Sequence, residues 1–570
     1  MQKKGCLAGA LLVDSPNVSD YPCSSCPLNS RHAHYAGGAV ILDGLKLQKI
    51  FGRNFMSEEI LDFKTFSQVT DARWYPRYHL AAPFGWCNDP NGMCFYKGQY
   101  HFFYQHYPFA PQWGPMHWGH AVSDDLAYWK HLPIALKPDA PYETGGGCFS
   151  GSAIEKDGKL YLMYTGHISA TPEEEAAIGY GHIEFQCLAS SEDGIHFEKS
   201  ERNPVIEDID VENKDVFIND IRDPKVWEHN GKYYAVLGSR TPDMANGQIL
   251  LFVSKDLTTS WRFKAISARS EGNLGGMWEC PNFAEIDGQD VLVFSPMDLR
   301  TDDGTFYHDK AAGVLIGKLS YKTGIFKHGD FQYLDRGFDF YAPQVMQTPD
   351  GRTVMIGWLD MWNVDMHEAK DGWAGQMTVP RELHVKDGKI FSTPVKELEK
   401  LRKWKPITFG NVVIDEATTF DGVSGEAYEL VLTIDAAKSQ KFSIALRASD
   451  IEQTVLTYNA NGTFKLDRTG AGEVINGITS VREIQIEPQE KIKLHIFVDR
   501  SSVEVFINDG AEVLSARIYP KRTSQKIIFT PEDETLVIDS LEYYKLDFGL
   551  PHPHIKDTPE DLTKKFPFLK

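Results

Sequence analysis

The sequence predicts an all-β protein, a five-bladed β-propeller followed by a C-terminal β-sandwich. Three observations predict it. Short runs rich in Tyr, Phe, Val and Ile recur along the chain, as in "QYHFFYQHY", "KLYLMYTGH", "KYYAVLGSR", "DVLVFSPM" and "TVMIGWLD". Most are bounded by Gly, Asp or Asn turn signals such as "KDGK", "EHNGK" and "TPDGR". An acid stands shortly before a proline at Asp89-Pro90, Asp223-Pro224, Glu279-Cys-Pro281 and Asp339-Phe-Tyr-Ala-Pro343. With Ser150 of "CFSGS" as a fifth landmark, these recur roughly every 60 residues, a period of propeller blades. Near the C-terminus the alternation of apolar and polar positions becomes regular, as in half-buried sandwich strands.

Taken in order, residues 1–71 lack regular alternation and hold Ser, Pro, Gly and a lone Cys23-Ser-Ser-Cys26. They are expected to form an extension, poorly ordered in part. Residues 72–395 carry the five units of the propeller. In that geometry the innermost strand of each blade brings its start to one end of a central channel, so acids far apart in sequence converge there. Proline is tolerated at a strand start, where its missing N–H leaves no ladder bond unmade. Residues 396–410, "KELEKLRKWKPITFG", show a helix-like charge pattern and then Lys405-Pro406, and are expected to be a linker. Residues 411–548 alternate as a sandwich should, as in "KIKLHIFVD" and "SSVEVFIND", and are expected to pack against the propeller. Residues 549–570 are rich in Pro and charge and form a tail.

Composition excludes several partners. With 59 Lys and Arg against 79 Asp and Glu, the formal charge is −20, unsuited to a nucleic-acid backbone or an anionic membrane. No run of apolar residues is long enough for a membrane-spanning helix. A cytoplasmic protein is expected, or a secreted one if Lys3-Lys4 and "GCLAGALLV" act as a short signal peptide. The single C-x-x-C lacks a second pair, and His117-Trp-Gly-His120 lacks a convergent third ligand, so neither a metal nor a cofactor is expected. Ser150 does not sit in a G-x-S-x-G elbow, which argues against a serine hydrolase.

Asp89, Asp223 and Glu279 lie in turn-like settings among aromatic and polar neighbours: "WCNDPN", "IRDPKVW" and "MWECPNF". Any one of them could be a turn-capping acid. Together, with rings nearby, they suit a sugar: rings cover its C–H faces and carboxylates accept from its hydroxyls. Glycosidic cleavage needs two carboxyl groups, one ionised and one protonated. Among the rings near Asp89, those of Phe95, Phe102 and Phe103 are expected in the blade core.

Seven pieces make this more specific: "WCNDPNG" (86–92), "WGPMHWGHAVSDDLAYWKHLPIAL" (113–136), "FSGS" (149–152), "RDP" (222–224), "WECP" (278–281), "DFYAPQ" (339–344) and "PREL" (380–383). With "FVDRSSVEVFINDG" (497–510), they resemble the β-fructofuranosidases of glycoside hydrolase family 32, over about residues 72–545. The resemblance implies a five-bladed propeller with a β-sandwich. It implies Asp89 as nucleophile, Glu279 as general acid/base and Asp223 as the acid that stabilises the transition state. It places Asn88, Gln105, Trp113, Phe149, Ser150 and Arg222 on the fructosyl pocket, and Trp86 and Tyr341 on the same wall. Glu279 must stay protonated until it donates, which the neighbouring charges of Asp89 and Asp223 favour, while Arg222 is expected to hold Asp223 ionised. Cys87 and Cys94 depart from the apolar residues usual beside the nucleophile motif. Cys280 beside Glu279 is expected simply to pack. The implied activity is retaining hydrolysis of sucrose or sucrose 6-phosphate by a monomer or homodimer. A fructanase, a fructosyltransferase and a carbohydrate-binding protein with a dead propeller remain as alternatives.

Overall fold

The computed structural model describes residues 66–549 other than 179, 207–214 and 302–305, together with 551 and 564. The expectations for residues 1–65, Cys23 and Cys26 among them, and for most of the C-terminal tail lie outside the described residues. Five sheets follow one another between Gly85 and Pro394, each with four antiparallel strands in chain order. Their first strands are Gly85–Tyr96, Gly145–Lys156, Ile221–His229, Met277–Ile286 and Tyr341–Gln347. Each of these packs against the next, and the fifth returns to the first, so the ring closes around an axial channel. Trp373–Ala374 adds a short parallel strand to the first blade.

The acid–proline repeat is a repeat of β-bulges. The ladder between the first and second strands of each blade is interrupted at Cys87/Pro90, Phe149/Gly151, Glu279/Asn282 and Tyr341/Gln344, and in the third blade opposite Arg222 to Lys225. An extra residue in one strand leaves an N–H unpaired and turns the chain. Proline lacks that N–H, which explains why Pro90, Pro224, Pro281 and Pro343 sit there. At three of the bulges the residue before proline has a left-handed backbone: Asp223 at φ 61°, Cys280 at 48° and Ala342 at 47°. This kink re-aims the neighbouring side chain along the channel.

Two of the expected core rings are buried. Phe102 and Phe103 lie wholly inside, but Phe95 is 37% exposed at the channel's far mouth. The strand there ends at the edge of the blade, so its outward residue meets solvent. The end of the expected N-terminal extension packs on the propeller: Phe66 stacks on Phe84 with ring centres 5.0 Å apart, and the Ser67 N–H donates to the Pro108 carbonyl.

Residues 396–410 are less of a linker than expected. Lys396–Leu401 is a 3-10 helix that buries Leu398 and Leu401, and the strand Ile407–Ile414 begins inside the segment. A six-stranded and a five-stranded sheet then enclose one apolar core that includes Leu430, Ile444, Phe464, Ile496, Val505 and Phe529. Lys491–Val498 and Thr454–Asn459 alternate exposure with burial as their sequences do.

Charged pairs tie this unit to the propeller. Arg381 lies between Asp335 and Glu504, all without side-chain exposure. Asp339 accepts from Arg468 and Arg517. The fourth acid of the repeat therefore faces the second domain, not the channel. Aromatic Phe340 and Tyr341 follow it, and only Tyr341 reaches the acids.

Candidate active site

One end of the channel is a pocket of about 140 Å³, lined by Asn88, Asp89, Gln105, Trp113, Phe149, Ser150, Arg222, Asp223, Glu279, Met297, Lys310 and Trp362. Asp89, Asp223 and Glu279 come from the bulges of the first, third and fourth blades. A larger cavity, about 1320 Å³, opens at the other end around Trp227, Phe283 and Tyr321. Its rings are already used against one another, Trp227 stacking between Phe283 and Tyr234 at 5.0 and 5.8 Å. It does not contain the three acids, and the chemistry is placed in the smaller pocket.

Around Asp89, the Ser150 hydroxyl donates to Oδ2 at 2.7 Å and the Asn88 amide to Oδ1 at 3.0 Å. Asn88 is itself held by the Trp86 indole N–H at 2.7 Å. Burial, reinforced by the Glu279 charge and opposed by these donors, pushes the Asp89 carboxyl upward. Asp223 accepts the Cys280 backbone N–H at 2.9 Å. Burial, opposed by Arg222 and reinforced by Glu279 and Asp89, raises its carboxyl well above the usual range.

Arg222 does not pair with Asp223 as expected. Its Nε and Nη2 both donate to Glu279 Oε1, at 3.1 and 2.7 Å, and its Nη1 turns to Asp220 at 2.8 Å. The bulge turns Asp223 into the channel while Arg222, one residue earlier, points towards the fourth blade. The Tyr341 hydroxyl donates to the other Glu279 oxygen, Oε2, at 2.6 Å. Three carboxyls and one guanidinium thus share one small pocket. Glu279 has 18% of its side chain exposed, while Asp223 is 5% exposed.

Eight residues are expected at the pocket besides the three acids. Asn88, Gln105, Trp113, Phe149, Ser150 and Arg222 line the cavity. Trp86 and Tyr341 stand behind it, 7% and 1% exposed, and act through Asn88 and Glu279. Met297, Lys310 and Trp362 line it without having been expected. Met297 ends the second strand of the fourth blade, and Lys310 and Trp362 lie in loops, where no motif marks them; Trp362 packs near Trp86 and Trp358, with ring centres 5.9 and 5.0 Å away. Cys280 does more than pack. Its thiol lies 3.4 Å from Asp89 and 3.6 Å from Asp223, and burial pushes it far above the usual thiol range. A thiol held in that form is a weak donor to carboxylates and a poor nucleophile. His117 and His120 do not converge: His117 Nδ1 meets the Pro115 carbonyl and His120 Nε2 meets His101.

Residues 79–394 match the glycosyl hydrolases family 32 N-terminal domain, and residues 397–545 match the family's C-terminal domain. The chain belongs to glycoside hydrolase family 32. A sucrose-6-phosphate hydrolase of Zymomonas mobilis is 37% identical over 513 residues, covering 87% of this chain and 96% of that protein. One from Escherichia coli is 38% identical over 466 residues, 80% of this chain and 91% of the relative. Among solved structures, a family 32 beta-fructofuranosidase of Bombyx mori is 35% identical with a TM-score of 0.73, covering 85% of this chain and 96% of its own. The sucrose-6-phosphate hydrolase of Lactobacillus gasseri is 28% identical with a TM-score of 0.76, covering 90% and 98%. This family 32 enzyme is accordingly a glycosidase of the β-fructofuranosidase type.

Proposed function

We propose that the enzyme hydrolyses the β-fructofuranoside bond of sucrose and sucrose 6-phosphate, with retention, through a fructosyl-enzyme. The observation that carries this reading is the convergence of Asp89, Asp223 and Glu279, from three blades, on one pocket of about 140 Å³. A pocket of that size suits one terminal sugar ring better than a chain. The Bombyx mori enzyme has been solved as a mutant in complex with sucrose, which supports the same class of substrate here.

In this reading Glu279 gives its proton to the bridging oxygen as the C2–O bond breaks. Asp89 closes on the oxocarbenium-like C2, and its carboxylate oxygen forms the ester. Water then loses a proton to Glu279 and attacks C2, the ester opens, and Asp89 returns as a carboxylate. Asp223 accepts hydrogen bonds from fructosyl hydroxyls, and the carboxylate form of this buried acid becomes more favourable as the sugar acquires positive charge. Ser150 and Asn88 hold Asp89 at one orientation, so little reorganisation accompanies attack.

Tyr341 tests the acid's orientation. Tyr341→Phe removes the 2.6 Å donor to Glu279 and is expected to lower kcat about tenfold, as loss of one hydrogen bond that orients the acid does. KM should change little, because the ring stands behind the pocket. Steady-state kinetics on sucrose measures both.

Lys310 bears on the choice of substrate. It and Arg222 are the cations lining the pocket, and Arg222 is engaged by carboxylates. Lys310 pairs with Asp309 at 2.9 Å, and Asp309 is half-exposed. A phosphate on the glucosyl unit has this ammonium to meet. Purified enzyme is therefore expected to cleave both sugars with a higher kcat/KM for the phosphate ester, and Lys310→Met should raise KM for that ester alone. Release of reducing sugar, with Asp89→Asn as blank, measures it. A preference for free sucrose would remove the phosphate from the reading, and no activity above the blank on either would refute it. With phosphorylated sucrose as substrate, the cytoplasm is the compartment we assign.

A further inference from the structure

Behind Arg222 lies a buried charge array that the mechanism above does not use. Asp220 and Glu184 are 1% and 3% exposed. Arg222 Nη1 donates to Asp220 Oδ1 at 2.8 Å and lies 3.4 Å from Glu184 Oε1. His182 Nε2 meets the same Asp220 oxygen at 3.0 Å, and Arg240 forms an ion pair with Oδ2 at 2.5 Å. Glu184 is held in turn by His167 at 3.2 Å and by the Ile221 N–H at 2.9 Å. His167 stacks on the pocket-wall ring of Phe149 at 4.0 Å, and His182 stacks on His167 at 5.2 Å.

The potential ligand atoms of His182, Glu184 and Asp220 lie within 4.8 Å of one another, a spacing a metal could use. Two guanidiniums already occupy the carboxylates, and a cation placed among them would meet both. The array is better read as the rear support of Arg222. One end of that guanidinium is on Glu279, the other on Asp220.

We propose that Asp220 and His182 are positioning residues for the proposed fructosidase reaction, holding Arg222 against Glu279 and setting how much of its charge Glu279 feels. The pair acts by competition. Asp220 offsets part of the Arg222 charge, and His182 offsets part of the Asp220 charge. The groups facing the pair are His167 and Glu184 from the second blade, and Arg222 and Arg240 from the third, with Glu279 and Asp298 from the fourth beyond the guanidiniums. Burial disfavours charge on the His182 ring, but the Asp220 hydrogen bond and the nearby carboxylates outweigh it and raise its pKa.

The two substitutions have opposite signs. His182→Gln leaves Asp220 free to neutralise Arg222, so Glu279 keeps its proton to higher pH. The alkaline limb of kcat/KM is expected to rise by roughly half a pH unit. Asp220→Asn turns the Arg222 charge on Glu279, and the limb is expected to fall by a similar amount, roughly half a pH unit. Rate–pH profiles on sucrose, read against the Asp89→Asn blank, decide between these and a merely structural role. A structural role lowers kcat/KM at all pH values and leaves the limb in place, which overturns the proposal, as do shifts of the same sign. Chelator-sensitive wild-type activity also overturns it, in favour of a metal. If Asp220→Asn does not fold, His182→Gln decides alone, since its side chain is 30% exposed: an upward shift supports the proposal and no shift or a downward one overturns it. A wild type without activity above the blank sinks the fructosidase reading separately. The variants are then compared by potentiometric titration, where a carboxyl must titrate at higher pH in His182→Gln than in wild type.

Discussion

Asp89→Asn is expected to lower kcat on sucrose by roughly 10⁴-fold or more while the protein stays folded. The amide keeps the size of the carboxylate, and its oxygen still accepts from Ser150 or Asn88, so the bulge that presents it is unchanged. What disappears is the negative oxygen that must form the ester. Glu279→Gln is the instructive companion. It removes a proton donor and leaves the nucleophile, and general acid–base catalysis accounts for about 10²–10⁴-fold. A fructoside whose leaving group needs no protonation should recover much of the first step in Glu279→Gln and nothing in Asp89→Asn. Turnover on both kinds of substrate, with thermal unfolding as the control on folding, measures the contrast. If Asp89→Asn keeps more than roughly a hundredth of wild-type kcat, attack by Asp89 is not the route.

The site was legible in sequence where a proline marked a bulge. Asp89, Asp223 and Glu279 each stand one or two residues before a proline, and that is where the ladder breaks and the side chain turns inward. Asp339 obeys the same pattern less closely, four residues before Pro343, and its carboxylate goes to Arg468 and Arg517 instead. Spacing to the bulge separates the two outcomes. Arg222 shows the limit of reading neighbours along a strand. Adjacent residues of a strand point to opposite faces, and a bulge alters which face each meets. Adjacency to Asp223 therefore suggested a pair, and the fold gave Arg222 to Glu279. Met297, Lys310 and Trp362 reach the pocket from a strand end and from loops, through tertiary packing, and nothing periodic announces them.

The same logic extends to motif residues that carry no chemistry. "PREL" supplies Arg381, "FVDRSSVEVFINDG" supplies Asp499 and Glu504, and "DFYAPQ", besides Tyr341 of the active site, supplies Asp339, all four charged residues buried where propeller meets sandwich. His79 completes this contact. Its Nδ1 lies 2.9 Å from Asp499 and its Nε2 2.8 Å from Glu504, with no side-chain exposure. Burial alone would keep the ring neutral, but the hydrogen bonds and charges of the two carboxylates overcome it and raise its pKa from 6.5 to about 9. A group whose folded pKa lies above its unfolded one stabilises the fold fully below the unfolded value and loses that contribution as pH rises through the folded value. The imidazolium is thus worth about 3 kcal/mol below pH 6.5, and the melting temperature should fall steadily between pH 6.5 and about 9. His79→Gln should unfold more readily at neutral pH, by about 3–5 kcal/mol, because Asp499 and Glu504 lose their shared cation while Arg381 still serves Glu504. It should also lose the slope across that window. Thermal unfolding of both proteins over the pH series makes the comparison, and parallel curves would mean that the ring between the domains is neutral. Since the acids of the active site lie on strands of the same propeller, the loss of inter-domain cohesion at alkaline pH should precede loss of the pocket: residual activity should outlast the first unfolding signal.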